Sequence, residues 1–121
     1  MTMPATESPL AGKDAVVGEV YARLLEVARG LGPVAEENKQ TCVHLTAGEG
    51  ATAFAGIHPR RAGILLTLRL AEAIGGPRVR KLEQASRNRF HADILVSSPD
   101  EVDAELAGWL RDAYALSRPK G

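Results

Sequence analysis

Apolar residues recur at three- and four-residue steps early in the chain, at Val17, Val20, Tyr21, Leu24, Val27, Ala28 and Leu31. This spacing predicts an amphipathic helix over residues 14–30, with Glu19, Arg23, Glu26 and Arg29 on its polar face. Gly30, Gly32 and Pro33 should end it, glycine by accepting a left-handed cap and proline by lacking a donor. The period then shortens to two. Residues 41–47 and 51–58 read as strands joined by a hairpin loop at Gly48-Glu49-Gly50. In the first of them Val43 and Leu45 face one way, and Cys42, His44 and Thr46 the other. Residues 63–70 form the clearest strand, with Ile64, Leu66, Leu68 and Leu70 on one face and Leu65, Thr67 and Arg69 on the other. Residues 90–97 make a fourth, in which Phe90, Ala92, Ile94 and Val96 alternate with His91, Asp93 and Leu95. Between these last two, residues 78–88 fit either a basic loop or one helical turn near 79–85.

A second helix is expected over residues 99–116. Ser98 is placed as its N-cap, Pro99 at the first helical position and Glu101 to complete a capping box. Val102, Leu106, Trp109, Leu110, Ala113 and Tyr114 supply its apolar stripe. Helix, four strands, helix is an α+β order. The predicted fold is one small domain over residues 14–117. In it a mostly antiparallel sheet of about four strands packs against N- and C-terminal helices. Residues 1–13 are expected to be a flexible tail and residues 118–121 a frayed end.

Composition narrows the function more than the fold. The chain has 121 residues, 45% hydrophobic and 25% charged, which suffices for one core. A lone cysteine, Cys42, allows no internal disulfide and suits a reducing cytoplasm. No basic stretch followed by an apolar one opens the chain as a signal peptide would, and no apolar run is long enough to cross a bilayer. A cytoplasmic protein without a membrane role is therefore expected. His44, His58 and His91 are dispersed and share no metal-ligand spacing, so neither a metal nor another cofactor is expected.

Charge is where the chain departs from the ordinary. It is neutral overall, yet residues 60–89 hold eight basic side chains against only Glu72 and Glu83. Such a field gathers an anionic partner without giving the protein a net charge. Arg69 and Thr67 lie opposite the leucine row of their strand, and His91 shares a face with Asp93. If those strands are neighbours, Arg69, Thr67 and His91 meet, with Arg87 and Arg89 leading into the same strand. An arginine fork suits a carboxylate or phosphate because it donates two parallel hydrogen bonds. The expected anion site is thus Arg69, Arg87 and Arg89 as holders, Thr67 and His91 as orienting groups, and Arg60 and Arg61 as steering charges. Parity alone favours a plainer account of Arg69, a cross-strand pair with Asp93 worth roughly 0.2–1 kcal/mol. Likewise the cations of residues 78–89 have a plain role, answering the acids of the last helix.

The succession GPVAEENKQTCVHL, TAFAGIHPRRAGILLTLRL and NRFHADILVSSPDEVDAELAGWLRDAYALS resembles a bacterial family known as domain of unknown function (DUF) 5655. The resemblance covers nearly all of residues 14–117 and implies a small α+β domain. It implies no catalytic residues. No nucleophile, base and orienting group assemble from the sequence either, so an enzyme is the least supported class. The leading expectation is a binding module for a small anionic molecule or an acidic protein surface. Two other classes remain open. One is nucleic-acid-backbone association through residues 60–89, which lacks aromatics for base stacking. The other is a structural or homo-oligomeric module.

Overall fold

The computed structural model describes residues 13–48 and 51–117. The expected tail, all but Lys13, lies outside them, as do the expected frayed end and Glu49-Gly50 of the predicted hairpin loop. Helix α1 (Ala15–Arg29) buries Val17, Val20, Tyr21, Leu24 and Ala28 of the predicted stripe, with Val27 and Leu31 half-buried against the core. It ends at the predicted place, but without a left-handed cap at Gly30. Gly30 is right-handed, at φ −69°, and its N–H still bonds back to Glu26 and Val27. The chain turns away at Gly32, where φ is +149°.

Six strands follow rather than four: β1 (Ala35–Asn38), β2 (Val43–Thr46), β3 (Ala53–Pro59), β4 (Ile64–Leu70), β5 (Val79–Ser86) and β6 (Arg89–Val96). All pairings are antiparallel, in the order β1-β2-β3-β4-β6-β5. The two strands the pattern did not predict are the two edges. β1 is Ala-Glu-Glu-Asn, with no apolar alternation to betray it. β5 corrects the reading of residues 78–88 as a loop or helical turn. Its Lys, Leu, Glu, Gln and Ala favour helix, but pairing with β6 outweighs that weak preference. A register shift between Val79 and Lys81 further breaks its alternation.

Both helices lie on one face of the sheet. α2 (Ala104–Ser117) packs on β3 and β4, with α1 beside it. Leu106 and Leu110 of α2 and Leu24 of α1 are fully buried in the same core as Leu45, Ile57, Ile64, Leu66, Leu68 and Ile94. A second register shift, between Leu45 and Thr46, leaves Phe54 without a partner on β2. This lets Phe54 and Ala55, adjacent in sequence, both be buried. The Phe54 ring meets Tyr114 edge-on, with centroids 5.2 Å apart, and the Tyr114 hydroxyl donates to the Pro33 carbonyl at 2.8 Å. On the same face Glu36 meets α1, accepting from the Tyr21 hydroxyl and pairing with Arg29 at 2.9 Å.

The predicted capping box does not form. Residues Pro99–Glu101 make a separate 3₁₀ turn, and the Glu101 carboxylate accepts from the Ser97 N–H. Asp103 caps α2 instead, its Oδ1 accepting from the Leu106 N–H at 3.1 Å. Arg78 braces this cap. Its guanidinium pairs with Asp103 at 2.8 Å and Glu105 at 3.1 Å, donates to the Glu101 carbonyl, and lies 5.8 Å from the Trp109 ring centroid. Arg78 is therefore the cation that answers the acids of the last helix. Among the described residues no helix is long and apolar enough to cross a membrane.

Candidate functional site

Alternation sends every second residue of the central strands to the face away from the helices, and antiparallel register aligns those residues in rows. One row crosses the whole sheet from β1 to β5 as Glu37, His44, Gly56, Thr67, Asp93 and Lys81. On one side of it Arg69 stands opposite His91, and His91 opposite Glu83. On the other side His58 stands opposite Leu65, and Leu65 opposite Leu95.

The middle of these rows is concave. His44, His58, Thr67, Arg69 and His91 line a hollow of about 180 Å³ together with Ala53, Ala55 and Gly56. Gly56 opens it. Two strand spacings, roughly 10 Å, separate His44 from Thr67, and the residue between them has no side chain. A Cβ there would lie 3.2 Å from His58 Nε2. The three histidines, dispersed in sequence, thus surround one hollow. Among the described residues, however, no three His, Cys, Asp or Glu are grouped to hold a metal.

Electrostatics distinguishes these groups. Burial pushes the His58 pKa below its ordinary value, and the nearby Arg60 charge adds to the effect. Its imidazole is neutral at pH 7, with one nitrogen free to accept a hydrogen bond. Between the depressed value and about 6.5, the unfolded chain binds more protons at this residue than the folded one. Stability from neutral His58 is therefore complete above pH about 6.5 and is lost as pH falls through the folded value. The thermal midpoint should drop from pH 7 to 5.5, and less steeply in His58→Gln. Parallel melts of the two proteins check this, and equal slopes would exclude His58 as the source.

The expected residues meet only in part. Arg69, Thr67 and His91 do line the hollow. Arg87 sits in the β5–β6 turn and Arg89 at the start of β6, its guanidinium donating to the Asn88 carbonyl at 2.8 Å; neither lines it. The Arg69–Asp93 pair does not form among the described residues. Asp93 accepts instead from the Thr67 hydroxyl at 2.8 Å, the residue directly opposite it. That changes what Thr67 can do: its proton is committed, so towards the hollow it offers lone pairs. Arg60 and Arg61, expected as steering charges, line a second hollow beyond the His58–Leu65 pair.

A family model described as "Domain of unknown function (DUF5655)" matches residues 6–117. The chain belongs to this family. Neither the curated proteins nor the solved structures contain a match to it. Within this DUF5655 domain the matched span includes both hollows and every strand that builds them. His44, His58 and Gly56 are the site residues that sequence reasoning missed. The parity of His44 was legible, but its proximity to Arg69 depends on β3 lying between β2 and β4.

Proposed function

We propose that this domain binds a small anion in the hollow formed by His44, His58, Thr67, Arg69 and His91. The observation that carries this reading is Arg69. It lines a small concavity, and among the described residues no carboxylate lies within ion-pair distance of it, the pairs being those of Arg23, Arg29, Lys39, Arg78 and Arg111. Arg69 is half-buried, and an arginine with no carboxylate partner among the described residues favours a carboxylate or phosphate. Thr67 and neutral His58 present acceptors, which suits an anion that also carries a hydroxyl or other donor. Asp93 disfavours negative charge at the Thr67 end, so the anionic group belongs towards Arg69 and His91. Arg87 and Arg89 contribute field rather than contact.

A thermal-shift screen against phosphate, small hydroxy acids and short oligonucleotides tests it. At least one small anion should raise the midpoint, and Arg69→Gln should weaken that anion about 10- to 150-fold. This matches the loss of one charge-assisted hydrogen bond, about 1.5–3 kcal/mol. Unchanged stabilisation of Arg69→Gln by every active anion would overturn the reading. Stabilisation by oligonucleotides alone, lost at moderate salt, would replace it with backbone association.

A further inference from the structure

The second hollow differs in kind from the first. It measures about 530 Å³, and its lining includes Arg60, Arg61 and Arg80 around Leu65 and Leu95. Leucines on the outward face of a sheet are costly to leave in water, and here they form a floor. Three arginines line the hollow with them, and no Asp or Glu belongs to the lining. None of the three arginines takes part in an ion pair among the described residues.

Two local structures set the arginines in place. The β3–β4 turn that bears Arg60 and Arg61 is held by its backbone: the Arg60 N–H donates to the Gly63 carbonyl at 2.8 Å. The Arg61 carbonyl accepts from the Asp14 N–H at 3.0 Å. A Cβ on Gly63 would lie 3.0 Å from the Val96 carbonyl, tighter than an ordinary contact, so the turn packs closely against β6 there. Arg80 is the extra residue in the β5 register shift, between Val79 opposite Ile94 and Lys81 opposite Asp93. Bulges re-aim side chains. This one adds Arg80 to the lining beside Leu95.

We infer that this hollow binds an organic anion joining a phosphate or carboxylate head to an apolar body. The head pairs with Arg60, Arg61 and Arg80, and the body covers Leu65 and Leu95. Guanidinium planes also stack on aromatic faces, which favours an aryl body. This site shares no arginine with the first hollow and does not depend on the anion proposed there.

Phenyl phosphate and inorganic phosphate, titrated calorimetrically into the whole chain, separate head from body. Phenyl phosphate should bind at least tenfold more tightly, a difference of about 1.4 kcal/mol. Covering roughly 55 Å² of apolar surface would supply that. Arg80→Gln and Leu95→Ser should each weaken phenyl phosphate at least fivefold, whereas Arg69→Gln should leave it unchanged. Both substituted positions lie on the outer face, away from the buried core, so the variants keep the fold. Equal affinity for the two probes, no detectable phenyl phosphate binding, or binding insensitive to both variants would overturn the inference. Loss of phenyl phosphate binding in Arg69→Gln would place the probe in the first hollow instead and equally overturn it.

Discussion

Replacing Phe54 with alanine should cost about 3–5 kcal/mol of unfolding free energy, the range for emptying a fully buried aromatic site. Phe54 is completely excluded from water, and its ring supports Tyr114 edge-on. Tyr114 in turn holds the α1–β1 connection through the Pro33 carbonyl. That connection cannot readily collapse into the vacated space. A Cβ on Gly32 would already lie 2.5 Å from the Tyr114 hydroxyl. A domain of this size has about 5–15 kcal/mol in total, so the variant is left near the edge of folding. Equilibrium urea unfolding checks the value, and Phe54→Leu should lose markedly less. A loss below about 1 kcal/mol for the alanine variant would mean that the bulged strand repacks.

Gly56→Val should abolish anion binding in the first hollow while leaving the fold intact. Glycine inside a strand is a stability cost, and a β-branched residue there is favoured. The backbone at Gly56 needs no glycine, since the positive-φ glycines of the described chain are Gly32, Gly48 and Gly76. What a side chain would do is occupy the space between His44 and Thr67 and press on His58 Nε2. That nitrogen is at the end of a rotatable side chain, so the contact is relieved by moving His58 into the hollow. The expected outcome is a thermal midpoint at or above that of the parent, with small-anion affinity reduced beyond detection. Retained binding would locate the anion elsewhere. Binding lost together with the fold would show Gly56 to be structural, a result that far-ultraviolet circular dichroism separates from the first.

These two residues differ in how far the sequence foretold them. Phe54 falls inside the predicted strand over residues 51–58, but its burial beside Ala55 came from a bulge that alternation does not anticipate. Gly56 carried no signal at all. The rows Ile64-Leu66-Leu68-Leu70 and Phe90-Ala92-Ile94-Val96 were legible because a sheet with one buried face must alternate, and all but the half-buried Phe90 are buried. The polar partners of those rows, Arg69 with His91 and Thr67 with Asp93, followed once β4 and β6 proved to be neighbours. The edge strands β1 and β5 were not legible, since they bury little and owe their form to the strand beside them.

What the sequence alone determined was therefore the set of elements that make the core. Two amphipathic helices and four alternating strands carry their own periodicity, because each must hide an apolar face. The identity of the family was likewise readable from the order of those segments. Strand order, register and bulges were decided only in the tertiary structure. They depend on pairing between distant segments, and the local period of a strand is the same whichever neighbour it has. That is why three scattered histidines and Arg69 became one hollow, and why Arg80 joined Arg60 and Arg61 in another.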